Sequence, residues 1–159
     1  MKRNFYITMK KVILTLVVFL SSIALYSQTK NETLFSYVQN NEVEKAGALL
    51  KAGGDANYFV TGTPYKTVSL LITAVLNKNV DMAKMLISNK ANVNWQDDNK
   101  CSAIIYAAST GQLEMVKLLL QNGAFTGDNN GKGKSVLSEA KASGNTELIN
   151  YLEALIQAK

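Results

Sequence analysis

Few residues in this 159-residue chain combine the type and spacing that chemistry requires. Ser138-Glu139-Ala140-Lys141 has the S-x-x-K spacing of a lysine-assisted serine nucleophile, but the partner motifs of such enzymes are missing and the pattern reads as an accident of composition. Gly133-Lys134-Ser135 ends like a phosphate-binding loop; the glycine needed five positions earlier is Asp128, and no apolar strand precedes it. Asp97 and Asp98 are adjacent, so they do not converge as an acid and base pair would. They are expected to supply a turn and to help cap the helix that follows. Cys101, the single cysteine, lies beside Lys100 and just before an expected helix start, and both features favour thiolate. In an exported protein it has a mixed or intermolecular disulfide open to it; the plain alternative is a small, semi-exposed residue with no redox role. The chain contains no histidine, which removes the usual general base and the commonest metal ligand together. No cofactor or metal site is expected.

The elements that position these residues repeat. Gly111–Ala124 reads GQLEMVKLLLQNGA; Lys78–Ala91 reads KNVDMAKMLISNKA 33 positions earlier, and Gly144–Gln157 reads GNTELINYLEALIQ 33 positions later. Asn41–Gly54, NEVEKAGALLKAGG, starts 37 positions before the second copy, so four residues are inserted between them. A period near 33 residues is that of a two-helix unit too small to bury its apolar face alone, which therefore stacks on its neighbours. Apolar residues recur at helical spacing, as in Leu113, Val116, Leu119 and Leu120, or Val80, Ala83, Leu86 and Ile87. A shorter apolar segment precedes each copy: Leu34, Phe35 and Val38; Leu70, Leu71, Ala74 and Val75; Ile104, Ala107 and Ala108; Val136, Leu137 and Ala140. Ala74, Ala107 and Ala140 recur in phase, as two closely approaching helices require. Gly53 and Gly123 follow the second helix where a left-handed cap favours glycine, and Lys90 stands at that phase in the second copy, which should weaken its cap.

On these residues the chain resembles an ankyrin-repeat protein from about Asn31 to its C-terminus. Ser102-Ala103-Ile104-Ile105-Tyr106-Ala107-Ala108 stands where that family has T-P-L-H-x-A-A, with Ser69 to Val75 and Ser135 to Lys141 at the same phase. None keeps the Pro or the His, so the hydrogen bonds that the family's His makes between repeats are expected to be absent. A TPR-like stack would show aromatic landmarks and longer helices. The resemblance implies an all-α solenoid of antiparallel helix pairs joined by hairpin fingers, with repeats at about 31–57, 58–94, 95–127 and 128–159. It also implies a protein-binding module without chemistry of its own, whose partner docks on the finger tips and the concave face of the first helices. Carried over by phase, the docking positions are Gln96, Asp98, Asn99, Cys101, Ser109 and Thr110 in repeat three and Asn129, Gly131, Lys132, Lys134, Ala142 and Ser143 in repeat four. The four-residue insertion falls within 58–66 and lengthens one finger. Tyr58, Phe59 and Tyr65, together with Trp95 on the next finger, form an aromatic cluster suited to a partner. The alternative is that Trp95 and Tyr58, at one repeat phase, pack on each other as a local mini-core.

The N-terminus is of another kind. Lys2, Arg3, Lys10 and Lys11 precede an apolar run from Val12 to Leu25, after which Tyr26, Ser27 and Gln28 turn polar. This is the pattern of a secretory signal peptide, 1–27, cleaved after Ser27 to leave 28–159 as one exported domain, periplasmic or secreted. Met9 is a second candidate start. This run of fourteen residues is short for a membrane span of about 20, so a retained anchor, giving a membrane-tethered scaffold, is the second reading. A hydrolase using Ser138 and Lys141 is the third. Four of the seventeen basic residues lie before Val12, leaving thirteen against twelve acids and no arginine, so the footprint of a nucleic-acid binder is missing.

Overall fold

Each apolar segment found in the sequence becomes helical, the first as the end of a long helix and the others as short ones, and consecutive helices pair antiparallel. A computed structural model describes residues 2–63, 66–127 and 135–157. The elements are α1 (Lys2–Gln39), α2 (Val43–Lys51), β1 (Phe59–Thr63), β2 (Lys66–Ser69), α3 (Leu70–Leu76), α4 (Val80–Ser88), α5 (Ala103–Ser109), α6 (Leu113–Gln121), α7 (Val136–Ser143) and α8 (Thr146–Gln157). Pairs α1/α2, α3/α4, α5/α6 and α7/α8 stack in order: α1, α3, α5 and α7 form one row, and α2, α4 and α6 line the other. The fold is an all-α solenoid carrying one small hairpin of strands.

The in-phase alanines explain the close stacking of the first row. Ala74, Ala107 and Ala140 are fully buried, and Leu34, Leu71, Ile104 and Val136 fill the spaces between them. Among the second helices of the pairs Met82, Leu86, Met115, Leu119 and Leu148 are fully buried, so the core runs continuously from one pair to the next. At Gly47 a β-carbon would lie 2.9 Å from the Met85 sulfur, which is how closely α2 approaches α4.

The turns between paired helices, and those after the second helices of repeats one to three, use left-handed backbone. Gly111 and Gly144 (φ 68° and 73°) join the two helices of repeats three and four, and Lys78 (φ 56°) does so in repeat two. After the second helices stand Gly53, Lys90 and Gly123 at φ 84°, 70° and 84°. Lys90 thus keeps the backbone that glycine adopts freely and bears its steric cost.

The hydrogen bonds of the missing histidine are absent, but other side chains bond between repeats. Ile72 and Ile105 occupy that position as buried core residues, and asparagines span the repeats instead. The Asn57 amide donates to the Lys90 carbonyl (3.1 Å) and accepts from the Asn92 N–H (2.7 Å). Asn94 does the same with Gly123 (2.9 Å) and Phe125 (3.0 Å). On the opposite edge Asn77 reaches the Val38 and Gln39 carbonyls, Gln112 reaches Val75, and Asn145 reaches Gly111. The carbonyls they reach lie at helix ends or in the turns just beyond them, where the intrahelical ladder runs out.

Candidate protein-binding surface

Between repeats one and two the inserted residues build β1 and β2 into an antiparallel hairpin, with Phe59 opposite Ser69, Val60 opposite Val68 and Thr61 opposite Thr67. The register shifts between Thr61 and Thr63, and Gly62 between them takes φ 84°. The finger is long because of the insertion. Successive strand residues point to opposite faces. Val68 is buried, and Tyr58, entering β1, is half-buried against the core. Phe59 turns outward at 47% exposure.

Phe59 is also the partner of Trp95: their ring centroids lie 5.7 Å apart with planes tilted by 32°. The ring contact of Trp95 is thus made with Phe59, the neighbour of the residue that shares its repeat phase. Of the three rings Phe59 alone is exposed, while Tyr58 and Trp95 are half-buried against the core. Burial pushes the Tyr58 phenol above its ordinary value, and the charge of Glu32 adds to the effect. Tyr65 lies outside the described residues, as do Asn129, Gly131, Lys132 and Lys134.

The finger of repeat three is short and closed by a single bridge, Gln96 to Ser102. Its organiser is Asp97, 3% exposed. One carboxylate oxygen accepts from the backbone N–H groups of Asn99 (2.8 Å) and Cys101 (2.9 Å), and the other accepts from the Tyr106 hydroxyl (2.6 Å). The Asp97 N–H donates to the Cys101 carbonyl. Asp97 therefore supplies the turn as expected, but it does not cap α5, whose N-cap residue is Ser102. Gln96, Asp98 and Asn99 are exposed on this tip, and the Asp98 N–H donates to Thr67 Oγ1 (3.2 Å), tying the two fingers side by side.

Cys101 does not belong to the surface. It is buried at 9% exposure, its N–H held by Asp97, so its place among the docking positions is withdrawn. Ser109 is half-buried, and its hydroxyl donates to the Tyr106 carbonyl. Thr110 is exposed, but its hydroxyl bonds the same carbonyl (2.7 Å) and accepts from the Gln112 amide (2.7 Å). In repeat four Ala142 is exposed and Ser143 is half-buried, donating to the Ala140 carbonyl. The structure thus brings Phe59, Trp95, Gln96, Asp98 and Asn99 together on two linked fingers, with Thr110 on the neighbouring helix row.

The residues considered for chemistry are occupied otherwise. Ser138 and Ser135 form a capping box at the start of α7: the Ser138 N–H donates to Ser135 Oγ (3.1 Å) and the Ser135 N–H to Ser138 Oγ (2.8 Å). The Ser138 hydroxyl donates to the Ser135 carbonyl, and Lys141 pairs with Glu153 at 2.8 Å. A nucleophile whose hydroxyl is engaged locally, with its lysine held by a carboxylate, is not an activated pair. Gly133 and Lys134 lie outside the described residues. Among the described residues no cluster of His, Cys, Asp and Glu has the arrangement to hold a metal ion.

Stacked helix pairs with projecting fingers define a repeat solenoid, a class whose members present extended surfaces to other macromolecules. Residues 71–157 match the ankyrin-repeat family in three copies, and the chain belongs to that family. The end of α1 and α2 form the same helix pair ahead of the matched region. No curated protein sequence matches the chain.

Proposed function

We propose that the protein is an exported, non-catalytic binding module whose partner protein docks on the linked fingers of repeats two and three. Ankyrin repeats in general mediate protein–protein interaction, and the family is typically non-catalytic. The observation that carries the placement is exposed Phe59 resting on half-buried Trp95, flanked by exposed Gln96, Asp98 and Asn99 on fingers joined through Asp98 and Thr67. An aromatic anchor ringed by polar side chains is the usual anatomy of an energetic centre in an interface. A photo-crosslinking side chain introduced at Phe59 should capture the partner in the native compartment, whereas one at Glu114 on the opposite face should not. Capture from Glu114 alone would contradict the placement.

The export reading is supported by the basic segment before Val12 and by where α1 begins to serve the solenoid. Described side chains from Val12 to Thr29 are exposed. The first ties to repeat one are Lys30 Nζ on the Ala52 carbonyl (2.9 Å) and the Asn31 amide oxygen accepting from the Asp55 N–H (3.0 Å). Cleavage after Ser27 removes none of them. A retained anchor is the second reading, favoured by the continuity of α1, which over Val12–Gln39 is long and apolar enough to cross a membrane. Alkaline extraction separates the two: a processed chain is released with the soluble fraction, and an anchored one stays with the membrane.

A further inference from the structure

We propose that Gln28 becomes the first residue of the processed chain and closes to pyroglutamate, a modification that rests on the export reading above. Cleavage of the Ser27–Gln28 peptide bond frees the α-amine of Gln28. That nitrogen attacks Cδ of its own side-chain amide, forming a new amide bond in a five-membered lactam. The bond from Cδ to Nε2 breaks, and Nε2 leaves as ammonia with its two protons and one from the amine. No oxidant, cofactor or second reactant enters.

The surroundings of Gln28 suit this step. The residue is exposed, and its amide donates only across one helical turn, to Glu32 Oε1 at 3.2 Å. An exposed contact of this kind contributes little, so its loss on ring closure opposes the reaction weakly. The helix that Gln28 would begin is fixed immediately behind it, by Lys30 on Ala52, by Asn31 on Asp55 and by fully buried Leu34. The new terminus therefore stands at the end of a persistent helix. Backbone N–H groups of residues 29–31 then lack helical acceptors and give that end a partial positive charge. An α-ammonium there is repelled, and Lys30 adds a second positive charge in the same turn. Ring closure turns the ammonium into a neutral amide. It relieves the repulsion and leaves no free amine for an aminopeptidase to engage.

The test is the mass and reactivity of the N-terminus after the full chain is expressed with its leader in a host that has a general secretory pathway. Free amines are labelled before any digestion, so that closure during handling is not counted. The exported protein should begin at Gln28, be one ammonia lighter (about 17 Da) than the simple cleavage product, and carry no label on its α-nitrogen. Pyroglutamyl aminopeptidase should expose Thr29, and the Gln28→Ala chain, cut at the same bond, should take the label. A terminus at Gln28 with full mass and a labelled amine overturns the modification and leaves the export reading standing. A chain still carrying residues before Gln28 overturns both.

Discussion

Repeats two and three share one helix-pair architecture and differ in how they handle its two costly turns and its finger. Repeat three places Gly111 and Gly123 at both left-handed positions and closes its finger with one bridge around buried Asp97. Repeat two has Lys78 and Lys90 at the corresponding positions and carries the lengthened hairpin with Phe59 turned to solvent. The core beneath does not distinguish them, since Leu86 and Leu119, one period apart, are both fully buried. Strain at the turns of repeat two is therefore borne by the packing, while the short, well-knit finger of repeat three steadies the longer one through Thr67 and Trp95. One repeat acts as the frame and its neighbour extends the surface.

The largest expected effect breaks the frame. Leu119→Ala should cost about 2 to 4 kcal/mol because it opens a cavity between helix pairs. Ser88→Ala, on the exposed end of α4, should stay within about 0.5 kcal/mol. Urea melts decide; equal midpoints would mean that the buried stripe of the second helices has been assigned to the wrong face.

Asp97→Ala comes next, at about 2 to 3 kcal/mol, because two backbone N–H groups and the Tyr106 hydroxyl lose their acceptor together. If the short finger also steadies the long one, Trp95 fluorescence should shift in this variant under native conditions. An unchanged melt would show that the carboxylate is dispensable and that the finger holds itself by other means.

Lys90→Gly has the opposite sign. It removes a β-carbon from left-handed backbone while keeping the Lys90 carbonyl that Asn57 binds, so thermal or urea denaturation should show a gain of about 0.5 to 1 kcal/mol. A loss would mean that the lysine side chain contributes more than its backbone strain.

The smallest effect concerns Tyr58. Its phenol holds its proton above the ordinary value near 10, so the folded chain keeps a proton that the unfolded chain releases. That contribution is fully present below the unfolded value and is lost as pH rises through the folded one. Tyr58→Phe should therefore show a shallower alkaline loss of stability than the parent above about pH 10. Parallel curves would place the phenol in solvent.

Much of the scaffold was legible because its signals are periodic. Ala74, Ala107 and Ala140 gave the close-packed row, and Gly53 and Gly123 gave the caps, since helical spacing and left-handed turns act within a few residues. The fingers were less legible because there a shift of one residue reverses a side chain. Tyr58 and Phe59 are neighbours, as are Asp97 and Asp98, and in each pair one turns inward and the other outward. Repeat phase alone favoured Tyr58 as the partner of Trp95, and strand alternation in the inserted hairpin favoured Phe59. Cys101 was misplaced for a related reason: its burial depends on the Asp97 carboxylate four residues earlier holding its N–H. The asparagine bridges were not legible at all, because Asn57 and Asn94 act on carbonyls about thirty residues away in sequence.

The central claim is that the linked fingers bind the partner. The most direct test is the affinity of the purified protein for the partner captured through Phe59, measured for the parent chain and two variants whose helical circular dichroism is unchanged. Replacing Phe59, Gln96 and Asp98 together by Ala should weaken binding by at least about 2 kcal/mol, roughly thirtyfold. Replacing Glu114 and Lys117, an ion pair on the second-helix face with Glu114 exposed and Lys117 half-buried, should leave it unchanged. Full binding by the finger variant with loss in the Glu114 and Lys117 variant would put recognition on the opposite face of the solenoid.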